Sequence, residues 1–157
     1  MDFEIVPFAE KHRKAFYSIN AEWIEKFFNL EKEDKRVLLD PEGAILAGGG
    51  AIFMAEDVST GESIAAVSLV CRGEGSYELS KMGVRPEAQG RGIGRALVKS
   101  AIKCFQEKGG RELFLETSST LQNAIGLYAS LGFVQQTELR PGSKYARADV
   151  YMIWSPA

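Results

Sequence analysis

The stretch Val84-Arg85-Pro86-Glu87-Ala88-Gln89-Gly90-Arg91-Gly92-Ile93-Gly94-Arg95-Ala96-Leu97 reads as a strand running through a glycine-rich turn into an amphipathic helix. A chain built around such a junction must carry a sheet and a helix packed beside it. Gly90, Gly92 and Gly94 leave no Cβ to block the close approach of another molecule. The first turn of the following helix presents backbone N–H groups that lack intrahelical partners. Those donors, the positive end of the helix dipole, and the flanking Arg91 and Arg95 together suit a pyrophosphate.

Two other glycine-rich phosphate loops do not fit. A nucleoside triphosphate loop needs Lys and then Ser or Thr after its last glycine, whereas Gly94 is followed by Arg95 and Ala96. A dinucleotide fingerprint spaces its glycines differently from Gly90, Gly92 and Gly94. A tight strand-to-helix turn that holds no ligand is the competing reading.

Periodicity organises the rest of the chain. Residues 3–6 read as a short strand ended by Pro7. Phe16, Ile19, Trp23, Ile24, Phe27 and Phe28 recur at helical spacing, which predicts two helices meeting near Ser18-Ile19-Asn20. Residues 31–36 are a charge run, read as a solvated helix face or loop rather than a binding element. The glycine- and alanine-rich residues 43–50 introduce a strand at 51–56. Ser59-Thr60-Gly61 turns it into an antiparallel partner at 63–72, and a third strand covers 77–84. A helix over 92–108 buries Ile93, Leu97, Ala101 and Phe105, and Gly109-Gly110 stops it. A strand at 112–116, a helix at 120–131 and strands at 134–139 and 149–154 follow.

Composition narrows the function classes. At 157 residues and 45% hydrophobic content, residues 1–157 are expected to form a single domain with one substantial core. A net charge of −2 provides no basic field for nucleic acid, and no apolar run approaches the length of a membrane span. The acidic start Met1-Asp2-Phe3-Glu4 lacks a signal-peptide charge pattern, so the expected location is cytoplasmic. Cys71 and Cys104 are expected to be reduced, small apolar residues without a disulfide. No Cys or His cluster has metal-ligand spacing, so no metal is expected. His12, the only histidine, is expected at the surface near the first helix.

Gln89-Gly90-Arg91-Gly92-Ile93-Gly94 resembles the acyl-CoA signature of the GNAT superfamily of N-acyltransferases: Gln or Arg, two residues, Gly, one residue, then Gly or Ala. Farther along, Asn123-Ala124-Ile125-Gly126-Leu127-Tyr128-Ala129-Ser130-Leu131-Gly132-Phe133 resembles the family's other signature, an Asn, a short helix, a Tyr and then Gly-Phe. The likeness covers residues 62–139. It implies an α/β (α+β) fold: a mixed, mostly antiparallel twisted sheet of six to seven strands flanked by helices on both faces. It also implies that the strands at 77–84 and 112–116 splay apart to admit the pantetheine arm of acetyl-CoA.

Acyl transfer from a thioester to an amine requires a neutral nucleophile, stabilisation of an oxyanion and a proton for the departing thiolate. By the resemblance, backbone groups of Met82 and Val84 would pair with pantetheine like an added strand, the Met82 N–H facing the thioester carbonyl. Gln89, Gly90, Arg91, Gly92, Gly94 and Arg95 would hold the pyrophosphate. Tyr128 matches the tyrosine that protonates the CoA sulfur, against a purely structural buried Tyr. Asn123 either hydrogen-bonds the cosubstrate or caps its helix. Glu78 is the leading general base, with Glu22, Glu116 and a water chain competing.

For the acceptor, Trp23, Phe27 and Phe28 form one wall or are plain core. The basic loop Arg140-Pro141-Gly142-Ser143-Lys144-Tyr145-Ala146-Arg147 is either a hairpin loop alone or a cover whose Arg140, Lys144 and Arg147 hold a carboxylate. The reading is an acetyl-CoA-dependent N-acetyltransferase acting on a small-molecule primary amine, such as an amino acid, by direct attack in a ternary complex. A protein or peptide N-acetyltransferase, marked by a long open groove, and a catalytically silent acyl-CoA-binding regulatory module are the alternatives. The edge strands after Arg140 hint at a homodimer.

Overall fold

Residues 51–84 carry two largely apolar segments and a third that mixes polar and apolar residues, separated by glycine-bearing turns, and these become the middle of the sheet. β1 (Phe3–Pro7), β2 (Ala51–Asp57), β3 (Ser63–Gly73) and β4 (Ser76–Val84) pair antiparallel in chain order. β5 (Glu112–Thr117) lies parallel to β4. β6 (Phe133–Gln135) and β7 (Val150–Trp154) complete a seven-stranded sheet of order β1-β2-β3-β4-β5-β7-β6. The computed structural model describes residues 2–155. Met1 of the acidic start and the last two positions of the expected domain lie outside the described residues.

The parallel step from β4 to β5 needs a crossover, which α3 (Ile93–Glu107) supplies. Its buried residues, Ile93, Leu97, Val98, Ala101, Ile102 and Phe105, follow helical spacing, so one stripe meets the sheet. α4 (Gln122–Ser130) joins it on that face, where Tyr128 and Phe133 share the cluster with Leu79, Leu113 and Leu115. α1 (Arg13–Phe27) and α2 (Lys32–Leu39) cover the opposite face with Phe16, Ile19, Ile24, Val37 and Leu38 against Ile52, Met54, Ala66 and Val70. Covered on both sides, β3 is buried continuously over residues 64–70, which explains a run that is apolar except for Ser68, whose hydroxyl bonds to Ser80. Among the described residues no helix is long and apolar enough to cross a membrane.

Three expectations are corrected. Residues 10–30 hold one α-helix, α1, preceded by a single 3-10 turn at Glu10–His12, and the second helix is α2. Ser18-Ile19-Asn20 does not break α1, because Asn20 is buried with its amide nitrogen donating to the Phe16 carbonyl at 2.9 Å. His12 is buried rather than superficial: Nδ1 accepts the Ala9 N–H at 2.8 Å and Nε2 meets Glu56 Oε2 at 2.7 Å. With both ring nitrogens satisfied, the imidazole loses little by leaving water. The strand expected at 134–139 is confined to β6, since only Phe133, Val134 and Gln135 find partners in β7.

Gly83 fixes how closely α1 approaches β4. A Cβ there would lie 2.5 Å from Trp23 Cδ1 and 3.2 Å from Ile19 Cγ2. Gly83→Ala is expected to destabilise the protein by about 1–3 kcal/mol, the usual cost of overpacking. Thermal unfolding checks this, and an unchanged Tm would mean the indole moves aside freely.

Candidate active site

The glycine turn has the backbone its sequence requires. Gly90 and Gly92 adopt φ of 78° and 79°, a left-handed region costly for residues with a Cβ, and Gly92 is the N-cap of α3. A Cβ at Gly90 or Gly92 would meet no protein atom, so the space over the helix N-terminus is open. Gly94 faces α4, where a Cβ would sit 3.4 Å from Leu127 Cδ2. Arg95 Nη2 donates to Ser130 Oγ at 2.9 Å, a second tie between the turn and α4. The two motif-bearing segments are therefore neighbours. Exposed Arg91 is free to turn toward an anion.

β4 and β5 pair only through Ser76, Tyr77 and Glu78 with Glu112, Leu113 and Phe114. Beyond Glu78 the pairing ends, and among the described residues no strand pairs with residues 79–84 on that side. Against β3, Ser80 pairs with Ser68 and Gly83 with Ala66, so Lys81 and Met82 stand opposite Val67. This is a β-bulge, and Lys81 adopts φ of 50° within it. The bulge turns Met82 and Val84 to the α3 side, where both pack on the cluster containing Tyr128. The Val84 carbonyl already accepts from Gln89 Nε2 at 3.1 Å.

Tyr128 is buried, its ring edge-on to Phe133 at 5.9 Å, and burial pushes its phenol well above the ordinary value. It thus stays protonated across the physiological range. Asn123 is exposed in the first turn of α4 but is not the N-cap, which is Leu121, and its side chain makes no cap bond. The capping alternative for Asn123 is thereby excluded.

On the opposite face of β4 and β5 lies a cleft of about 170 Å³ lined by Glu33, Arg72, Glu78, Glu116, Arg140, Gly142, Lys144 and Tyr145. Glu78 is buried and accepts from Arg72 at 2.9 and 2.6 Å. Lys144 lies 3.8 Å from Glu33. Glu116 has no ion pair among the described residues; burial and the neighbouring Glu78 charge raise its pKa, against a hydrogen bond from Ser143. Arg140 stacks 4.2 Å from the Phe114 ring centroid, also without an acidic partner among the described residues. Glu22 does not line this cleft; it pairs at 3.8 Å with Arg85.

The loop between β6 and β7 reaches across to α2. Asp34 is fully buried, the one residue that departs from the reading of 31–36 as a solvated helix face or loop, since Lys32, Lys35 and Arg36 are exposed. Its Oδ1 accepts from Lys81 Nζ at 2.8 Å and Arg147 Nη2 at 2.7 Å. Its Oδ2 accepts from Arg147 Nη1 and the Glu31 N–H, each at 2.9 Å. Burial alone would raise the Asp34 pKa, but the bonds from Arg147 and Lys81 overcome it and hold it at about 2. Burial pushes the Lys81 ammonium downward against the pull of Asp34.

A family profile described as "Acetyltransferase (GNAT) family" matches residues 5–133. The chain belongs to that family. Among curated GNAT relatives, the mycothiol acetyltransferase of Arthrobacter sp. (strain FB24) is 43% identical over 58 residues, 37% of this chain and 18% of the relative. The chain thus spans less than a fifth of that relative's length. Among solved structures, a GNAT-family acetyltransferase from Staphylococcus aureus Mu50 superposes with a TM-score of 0.88 at 16% identity, covering 98% of each chain. A GNAT-superfamily phosphinothricin acetyltransferase from Sinorhizobium meliloti, in complex with AcCoA, has a TM-score of 0.78 at 19% identity, covering 98% of this chain and 88% of that one. The last two likenesses concern the fold, which is the GNAT arrangement of a mostly antiparallel sheet between helical layers.

Within this GNAT fold the expected residues divide into two groups across the sheet. Met82, Val84, the glycine turn, Asn123 and Tyr128 belong to the α3–α4 side, and Glu78, Arg140 and Lys144 line the cleft on the other. Trp23 does not line the cleft: its Nε1 donates to Asn20 at 3.0 Å and its ring packs on Gly83. Phe27 is 47% exposed at the end of α1 and does not line the cleft. Arg72, Tyr145 and the Asp34–Lys81 pair were missed. Alternation from Leu79 would put Lys81 on the apolar face, and that conflict was the available signal of a bulge.

Because the folded-state pKa of Asp34 lies below its ordinary 3.8, its stabilisation is present above about pH 4 and lost as pH falls toward 2. The loss is on the order of 2 kcal/mol. Urea unfolding across this range should show that slope, and Asp34→Asn should remove it.

Proposed function

We propose that the protein is an acetyl-CoA-dependent N-acetyltransferase whose acceptor is a small primary amine carrying a carboxylate, such as an amino acid. The observation that carries this is the divergence of β4 from β5 between an open glycine turn on one face and a charged cleft on the other. Acetyl-CoA would supply an activated acyl group. The backbone N–H groups at Gly90, Gly92 and the start of α3 have the conformation and open space to hold its pyrophosphate. The unpaired edge of β4 beyond Glu78 can accept an extended arm by strand-like pairing. Met82 N–H is the donor for charge developing on the acyl oxygen.

Tyr128 is the acid for the leaving sulfur. Its burial keeps the proton in place until a base appears beside it. On the acceptor side the proton goes to the Glu78–Glu116 pair. Glu78 is held by Arg72, whereas the raised pKa of Glu116 makes it the better base. Arg140 supplies the fork for the acceptor carboxylate, with Lys144 at the rim. Arg147 does not share this task, being committed to Asp34 and Glu31. The small roofed cleft favours a small amine over a protein segment, which would need a long groove.

Thiol release from acetyl-CoA across an amine library tests the activity, and binding without turnover on every amine would leave only a silent binding module. Tyr128→Phe is expected to lower kcat by about 10²–10⁴-fold with little change in acetyl-CoA affinity. Full kcat in that variant would remove Tyr128 from the chemistry. Glu116→Gln is expected to abolish the acidic limb of the kcat/KM pH profile, which lies above the ordinary glutamate range. A limb that survives there but vanishes in Glu78→Gln would transfer the role.

A further inference from the structure

One carboxylate oxygen joins two parts of the molecule that are far apart in sequence. Asp34 Oδ1 accepts from both Lys81, in the β4 bulge, and Arg147, in the loop over the cleft. The same loop touches Lys81 a second time: Lys81 Nζ donates to Tyr145 Oη at 2.8 Å and lies 4.3 Å from that ring's centroid. Arg147 also stacks 4.5 Å from the Tyr145 centroid and 5.9 Å from that of Trp23, the indole that packs on Gly83. Both ends of the bulge are therefore gripped by groups that contact Arg147. A buried charged cluster adds little net stability over apolar residues of equal volume, but it enforces one geometry.

We propose that Asp34 is a positioning residue that locks the loop roofing the acceptor cleft to the β4 bulge, so that closure of the roof sets the direction of the Met82 N–H. Lys81 holds a left-handed backbone that disfavours side-chain-bearing residues, and its ammonium is the tether that keeps it there. When Arg147 leaves, the loop loses its own bonds to Asp34 and Tyr145 loses its stacking partner, so Lys81 keeps Asp34 but its contact with Tyr145 is loosened. The roof and the bulge then move as one unit. This inference rests on the acetyl-transfer reading for its kinetic consequence only.

Arg147→Met leaves Asp34 paired with Lys81, and Lys81→Met leaves it paired with Arg147, so neither strands a lone buried carboxylate. Amide hydrogen exchange on the full chain is the deciding measurement. Arg147→Met is expected to speed exchange at residues 81–84 on the order of tenfold while the β1–β2 pairs are unchanged. Arg147→Lys, which keeps the charge but not the fork, should restore only part of the protection. Acceleration confined to residues 136–149 would overturn the proposal. If Arg147→Met does not fold, Tyr145→Phe, which removes one of the two acceptors of Lys81 and leaves Asp34, is read the same way.

In turnover, Arg147→Met should raise acceptor KM and lower kcat together, with acetyl-CoA KM steady. A raised acceptor KM at full kcat would also refute the coupling. If the unaltered protein releases no thiol with any amine, the acetyl-transfer reading fails, and the exchange experiment still decides the role of Asp34.

Discussion

The structure turns on a strand that keeps only one neighbour over its second half. β4 is paired to β3 along most of its length but to β5 only through Ser76, Tyr77 and Glu78. A buried strand edge with unmet N–H and C=O groups is costly, so a chain that keeps one must satisfy it by other means. Gln89 does so at the Val84 carbonyl. The remaining free edge beside the N-terminus of α3 is open to a ligand. The bulge at Lys81 and Met82 lets the strand bend away from β5 without losing its pairing to β3.

Charge is distributed around this opening according to burial. Deep in the fold, Lys81 and Arg147 meet Asp34, and Glu31 accepts the remaining Arg147 contact at 3.3 Å. The unit is locally neutral, which makes its removal from water tolerable. In the cleft, Arg72 holds Glu78, and Glu33 is shared between Arg36 and Lys144. Glu116 and Arg140 stay outside these pairs. These two groups, of opposite sign and outside any ion pair among the described residues, are the ones the proposed acceptor would meet.

Local signals were legible wherever neighbours in sequence are also neighbours in space. The strand-to-helix junction is legible because glycines cluster where the backbone turns left-handed at Gly90 and Gly92, and α3 because its apolar residues repeat at helical spacing. The cleft was legible only in part. Glu78, Arg140 and Lys144 were named, but Arg72 was not, because a strand-end arginine gives no local sign of pairing with Glu78. Trp23 and Phe27 were offered as acceptor contacts on helical spacing alone. That pattern shows that an aromatic face exists, and the packing of Trp23 on Gly83 then decides its use.

The sequence by itself determined most of the element types, the strand-turn-helix unit at Gly90–Gly94, and the motifs that mark the family. These depend on backbone conformation and side-chain period, which a few consecutive residues specify. Only the tertiary structure decided which charges are buried together. Asp34 sits in a run of charges that looks solvated, Lys81 in a strand and Arg147 in a loop, and nothing local joins them. Their meeting follows from the packing of α2 and the β6–β7 loop against β4, where removal from water makes pairing obligatory.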